Sequence, residues 1–173
     1  MDDDQSDGEG SGVIAIREAT ATDQNAIWAM LEPVVRAGEV FALPREMTCE
    51  QGLAYWFAAG NWVFIAEDDG LVVGSYYVRA NQRGGGSHVA NCGYLTAEWA
   101  LGRGVAGAMC AHSLEFAKSV GFRAMQFNFV ASTNEAAVHL WRKHGFEVLA
   151  LLPEAFEHPK LGFVDALVMW RKL

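Results

Sequence analysis

Apolar positions first recur at helical spacing and then, past Phe57, begin to alternate. Val13–Ile16 is a short apolar run that reads as a strand. Ile27, Met30, Leu31 and Val34 fall on one side of a helix, which Thr22 is placed to cap and Pro33 to kink or end. Arg36–Pro44 follows as irregular chain. Thr48 and Gln51 have capping-box spacing ahead of a second helix bearing Leu53, Trp56 and Phe57. Beyond it Trp62–Ala66 and Leu71–Val78 are rich in β-formers, and the Asp68-Asp69-Gly70 between them signals a hairpin.

The second half repeats the alternation of strand and helix. Asn81–Gly86 reads as a loop and Ser87–Leu95 as a strand. The glycine-rich Gly102–Gly107 runs into a helix reaching about Val120, which Gly121 ends. Ala124–Val130 is a strand, Asn134–His144 a helix stopped by Gly145, and two strands follow near Phe146–Leu151 and Phe163–Trp170. The order is β-α-α-β-β-β-α-β-α-β-β, a mixed α/β layout with antiparallel hairpins first and a βαβ crossover in the middle. No internal repeat or interior linker interrupts it, so residues 13–173 read as one domain.

Composition narrows the class. Of 173 residues 51% are apolar, 12% aromatic and 20% charged, which excludes a disordered protein. A chain of this length buries about 70% of its unfolded surface. The net charge of −8 is uneven: residues 1–12 hold five acids and no base, leaving 13 bases against 16 acids elsewhere. That head reads as a disordered acidic tail or an expression remnant, and the balance disfavours extended nucleic-acid binding. No apolar run is long enough to span a membrane, and no leader pattern is visible. The sparse, odd set Cys49, Cys92 and Cys110 fits reduced thiols in the cytoplasm, packed as small hydrophobes. The close pairs Cys110/His112 and His139/His144 have no common zinc spacing, so no metal is expected.

The stretch "LGRGVAGAM" carries the first chemistry. Gly102, Gly104 and Gly107 bare backbone N–H groups at a helix start, where the dipole favours phosphate, and Arg103 adds a cation. The spacing Gly-x-Gly-x-x-Gly formally matches a dinucleotide fingerprint. It follows its strand too late, however, and no acid ends the next strand. A P-loop is excluded because no Gly-Lys-Ser/Thr follows.

The same stretch resembles the acetyl-CoA loop of the GCN5-related N-acetyltransferases, Gln/Arg-x-x-Gly-x-Gly/Ala, with Gly104 and Ala106 in the small positions and Leu101 departing from Gln/Arg. "TNEAAVHLWRKHGF" resembles that family's helix through Asn134, Ala137, Leu140, Lys143, Gly145 and Phe146. Trp141 stands where the family often has a tyrosine that protonates the leaving thiolate. More narrowly, "SHVANCGYLT" and "FNFVASTNEAA" look like the L-azetidine-2-carboxylate acetyltransferases at His88, Asn91, Asn128, Thr133 and Asn134.

The resemblance implies a mixed, mostly antiparallel sheet of about seven strands, splayed in the middle and flanked by about four helices, with acetyl-CoA in the splay. It implies that backbone at Gly93, Tyr94 and Leu95 holds the pantetheine. The turn Gly102, Arg103, Gly104, Val105, Ala106, Gly107 and Ala108 would hold the pyrophosphate, and Asn134 the pantetheine arm, beside Ala137 and Trp141. The reaction would be direct attack of a small-molecule amine, such as an amino or imino acid, on the thioester. The strand Ser87–Leu95 has no acid to act as base, so His88 or a water oriented by Asn91 is expected to take the proton. Asn128, on the polar face of its strand with Gln126, is expected to bind the acceptor. Arg36, Glu39 and Phe41 stand in the segment that covers the acceptor pocket in this superfamily, Arg36 suited to a carboxylate and Glu39 to an ammonium. A homodimer is a further implication. Two other readings stay open: acetylation of a protein N-terminus or lysine, and a non-catalytic acetyl-CoA sensor, to which Leu101 and Trp141 point.

Overall fold

The computed structural model describes residues 12–173, so the expected acidic tail lies outside the described residues except for Gly12. The chain runs β1 (Ala15–Glu18), α1 (Gln24–Ala37), α2 (Cys49–Trp56), β2 (Trp62–Asp68), β3 (Leu71–Ala80), β4 (Val89–Thr96), α3 (Val105–Ser119), β5 (Ala124–Ala131), α4 (Glu135–Lys143), β6 (Glu147–His158) and β7 (Gly162–Lys172). The strands form one seven-stranded sheet in the order β1-β2-β3-β4-β5-β7-β6. Every pairing is antiparallel except β4 with β5, the crossover pair.

Side-chain alternation divides the core into two layers. Trp56 of α2 lies under the sheet, its indole donating to Ser75 Oγ at 2.9 Å, and the Ser75 O–H in turn donates to the Phe64 carbonyl at 2.8 Å. The same face meets α1 through Ile27, Leu31 and Val35, all buried. On the opposite face Tyr76 stacks on Phe64 and Tyr94, and α3 covers them with Val105, Met109 and Leu114. This is a sheet buried between two helical layers.

Several local expectations change. Thr22 does not cap α1. Thr20 and Asp23 form the capping box one turn earlier, with Asp23 accepting the Thr20 N–H at 2.7 Å and holding Arg17 at 2.9 Å. Pro33 does not stop the helix, which continues to Ala37 and ends at Gly38 (φ 68°). Pro33 and Ala29 are both exposed, so water can serve the carbonyl that proline leaves without a donor. Ser87 and His88 belong to the turn before β4. The last two strands are far longer than their patterns imply, and "EAFEHPKLGF" forms the end of their hairpin. An irregular register at Leu152/Phe156, with Glu154 at φ 49°, disguises the first of them.

Candidate active site

The parallel pairing of β4 with β5 lasts for two positions, Val89↔Ala124 and Ala90↔Met125. Beyond them the strands part, and the gap is a wedge in the middle of the sheet. Asn91 stands at its closed end, where its Nδ2 donates across the gap to the Gln126 carbonyl at 2.9 Å.

The backbone of β4 divides between the two sides. Ala97 N–H donates to Val73 O at 2.9 Å and Asn81 N–H to Val89 O at 2.8 Å. With the register from Gly74↔Thr96 to Ala80↔Ala90, this turns the backbone groups of Asn91, Gly93 and Leu95 toward β3. Those of Cys92, Tyr94 and Thr96 face the wedge. Of the three residues expected to grip pantetheine by their backbone, Tyr94 is so directed, and Gly93 and Leu95 are committed to the ladder. Gly93 is needed for another reason: a Cβ there would stand 2.5 Å from the Tyr77 ring.

The wedge opens toward the start of α3. Gly102 and Gly104 take φ of 76° and 81°, conformations that favour glycine, and no other atoms crowd them. The first amide of α3 with a helical acceptor is that of Ala108, bonded to Gly104 O. The N–H groups of Val105, Ala106 and Gly107 are therefore free at the positive end of a 15-residue helix. Arg103 is not free: Asp68, the last residue of β2, pairs with it, and its guanidinium lies 5.9 Å from the Trp99 ring centroid. Leu101, in the position of the departing motif residue, is exposed.

The α4 side supplies an aromatic wall. Trp141 is buried, with ring centroids 4.8 Å from Tyr94 and 4.9 Å from Phe127. Tyr94 shares a hydrogen bond with Ser113 Oγ at 2.7 Å, and burial pushes its phenol well above the ordinary range. Burial likewise raises the Cys92 thiol, so neither group ionises at neutral pH. Asn134 caps α4, its Oδ1 accepting the Ala137 N–H at 3.3 Å, which leaves its Nδ2 for other partners. Ala137 is half-buried behind it. Thr133 Oγ1, at the junction of β5 and α4, is buried without a hydrogen-bond partner among the described residues. Free helix amides, uncrowded glycines and an orphaned hydroxyl beside an open backbone edge fit a long ligand with a phosphate end and an amide-bearing arm.

Beyond the apolar contacts of α1 and α2, the same sheet face carries polar side chains near the closed end of the wedge. Asn128 donates to Asn81 Oδ1 at 2.6 Å and accepts from Gln126 Nε2 at 3.0 Å. Asn91 is buried and engaged in protein contacts, accepting Arg79 Nε at 3.3 Å as well as donating to Gln126. It ties β4 to β5 at the closed end of the wedge, with one N–H and one lone pair of its amide not used by these contacts. Tyr55 and Tyr77 share a hydroxyl contact of 3.1 Å nearby. His88 is exposed and outside β4, on the paired side of Ala90 rather than in the wedge; its carbonyl accepts the Arg123 N–H at 2.9 Å.

The segment between α1 and α2 covers this face in part as expected. Phe41 packs edge-on against Trp56. Glu39 pairs with Lys160 of the β6–β7 turn, which holds the Glu39 carboxyl below its usual range and joins the segment to the hairpin tip. Arg36 does not reach the face. It bonds Glu32 at 3.1 Å, donates to the Arg45 carbonyl and lies over Trp28. Beyond Phe127 an irregular register breaks the strict alternation expected for β5: Phe129 is 36% exposed and packs edge-on against Phe156. Among the described residues no group of three or more His, Cys, Asp or Glu gathers to hold a metal, and no helix is long and apolar enough to cross a membrane.

Comparison with known proteins places this geometry. The acetyltransferase (GNAT) family matches residues 28–146. N-acetyltransferase aca1 of Schizosaccharomyces pombe is 29% identical over 98 residues, which is 56% of this chain and 47% of that protein, so the match spans about half the relative's length. A GCN5-related N-acetyltransferase from Kribbella flavida superposes with a TM-score of 0.88 at 40% identity, over 92% of this chain and 98% of that one. A GNAT superfamily phosphinothricin acetyltransferase from Sinorhizobium meliloti, solved in complex with acetyl-CoA, shares the fold with a TM-score of 0.81 at 21% identity, over 92% of this chain and 88% of that one.

Proposed function

Because the chain belongs to the acetyltransferase (GNAT) family, we propose that it moves the acetyl group of acetyl-CoA to the amine of a small molecule, in a ternary complex. The observation that carries this is the wedge: two strands that part after two pairs, next to a helix start with three free amides.

Acetyl-CoA, when bound, supplies an activated thioester. The amides of Val105, Ala106 and Gly107 would hold its pyrophosphate, with Gly102 and Gly104 leaving room for it. The outward backbone of Tyr94, the free Nδ2 of Asn134 and the orphaned Thr133 hydroxyl would hold the pantetheine arm. The Cys92 and Tyr94 N–H groups, aimed into the gap, polarise a carbonyl laid between the strands. Asn128 receives the acceptor on the polar face, which the Glu39–Lys160 contact screens. The neutral amine attacks the acetyl carbon, the carbon–sulfur bond breaks to release CoA as the thiolate, and water takes the proton from the amine and returns one to the sulfur, because among the described residues no carboxylate or imidazole joins the polar cluster. Trp141 walls the wedge; its indole cannot serve as a proton donor at neutral pH.

Three free cysteines support a cytoplasmic setting. The outer strand β6 leaves Leu149 and Leu151 exposed, which supports a homodimer built through that edge. Light scattering at two concentrations checks it; a monomer at both overturns it.

The test is release of CoA thiol from acetyl-CoA against amino and imino acids, polyamines, aminoglycosides and short peptides. Selective turnover of small amines is expected. Turnover of peptides alone would assign a protein substrate instead. Tight acetyl-CoA binding with every amine silent would assign a sensor.

A further inference from the structure

We infer that Arg79 is the specificity residue of the acceptor site and that it takes a carboxylate carried by the amine substrate. The inference rests on the small-amine reading above and names the substrate's second functional group.

Arg79 is the penultimate residue of β3 and stands directly opposite Asn91. Its side chain is half-buried. The guanidinium lies 5.1 Å from the Tyr77 ring centroid and 5.9 Å from that of Tyr55, and two aromatic faces fix its plane. Its Nε donates to Asn91 Oδ1 at 3.3 Å. Among the described residues Nη1 and Nη2 donate to nothing, and no carboxylate pairs with the group. By contrast Arg17, Arg36 and Arg103 each have an acidic partner. The side chains that touch Arg79, those of Tyr55, Tyr77 and Asn91, are all neutral, as are Gln126 and Asn128 across the seam from Asn91. In a chain of net charge −8, a half-buried cation among neutral hydrogen-bonding groups is an anion site. The free end of the fork has the geometry for two parallel N–H bonds to one carboxylate.

Position decides which anion. The phosphate end of the wedge follows Ala97. Asn91 lies six residues before that point, roughly 20 Å along the strand. Arg79 is therefore out of reach of the helix-start amides. It is adjacent to the closed end of the wedge, whose open part begins at the next residue pair. A carboxylate on Arg79 leaves a neighbouring amine a short step from the inward-facing amides of Cys92 and Tyr94. An α-amino or α-imino acid has that separation; a long polyamine has no group for the site.

The experiment compares matched pairs, each an amino or imino acid and its carboxamide: proline and prolinamide, azetidine-2-carboxylate and its amide, alanine and alaninamide. Wild type should prefer the acid by about thirtyfold in kcat/KM. Arg79→Gln should erase that preference by raising KM for the acid about thirtyfold, with kcat changed by less than about threefold. Arg79→Lys, which keeps the charge without the fork, should fall between. Acetyl-CoA affinity, measured by calorimetry on each variant, should hold within about twofold, because Arg79 is far from the phosphate end. A preference that survives Arg79→Gln overturns the inference, as does equal turnover of acids and amides by wild type. So does a loss of acetyl-CoA affinity in both variants, which would make Arg79 structural. Turnover confined to amines without a carboxylate overturns the role of Arg79 and leaves the acetyltransferase reading standing. Silence from every amine, with acetyl-CoA bound, overturns both.

Discussion

Where α3 begins, the chain is equipped with backbone; on the sheet face around Asn91 it is equipped with side chains. The first region is three adjacent amides, two glycines in left-handed conformations and the fixed dipole of one helix. All of it comes from one stretch of sequence, and its hydrogen-bonding pattern is indifferent to most side-chain changes. The second region is assembled from β3, β4, β5 and α2, and each contact depends on a particular side chain. The donor of the acetyl group is common to the family, whereas acceptors differ, and the two materials suit those demands. A backbone site tolerates drift at its surface. A side-chain site can be rewritten one residue at a time.

Variants can break that contrast. The largest effect is expected from Gly104→Glu, which places a carboxylate on the phosphate site and forces a side chain into φ 81°. Acetyl-CoA affinity by calorimetry should fall at least about 100-fold, and Gly104→Ala, with the strain but no charge, should lose less. Asn128→Ala should lower kcat/KM for the acceptor about tenfold, or ~1.4 kcal/mol, while acetyl-CoA binding holds; equal losses for both substrates would dissolve the contrast. Acid should loosen the helical cover of the acceptor face first. Arg17 keeps the buried Asp23 carboxyl at about 2, below its usual 3.8. The folded state thus holds this proton more weakly than the unfolded chain does. The stabilisation is complete above about pH 4 and lost as pH falls toward 2. It amounts to about 1 kcal/mol, because Arg17 is exposed and screened. Melting curves of Asp23→Asn should lack that dependence. The smallest effect is expected from Glu39→Gln, which opens the contact with Lys160. Acceptor KM should rise about two- to threefold, and moderate salt should do the same to wild type.

The backbone region is legible in the sequence as one stretch, whereas the side-chain region is legible only in part, through Asn91, Gln126 and Asn128, for the same reason that separates them physically. Gly102, Gly104 and the helix after them are contiguous, so spacing alone exposes them. The hairpin at Asp69-Gly70 and the helix ends at Gly121 and Gly145 were readable likewise, since each glycine takes a positive φ that little else tolerates. Arg79 carries no local signal beyond a lone cation closing an apolar strand. Its meaning depends on a register that sets it against Asn91. Arg36 reads as part of the irregular segment but lies in the last turn of α1, where Glu32 one turn earlier and the Arg45 carbonyl of the following segment are its partners. His88 reads as strand but lies in the turn, because strand and turn are hard to separate by pattern beside Gly84–Gly86. The β6–β7 hairpin was underread because an edge strand with Leu149 and Leu151 exposed shows no alternation to find.

The two-position seam between β4 and β5 also matters for how molecules of this protein meet one another. A strand whose amides and carbonyls point outward is a template for any passing strand, and proteins usually confine such templates to the sheet margins. Here two of them face each other at the centre, on Cys92, Tyr94 and Thr96 and on the diverging half of β5. The opening suited to a pantetheine arm is equally suited to a β-strand from a neighbouring chain. Acetyl-CoA should therefore act as a shield against self-association, and concentrated protein should remain monodisperse longer in its presence.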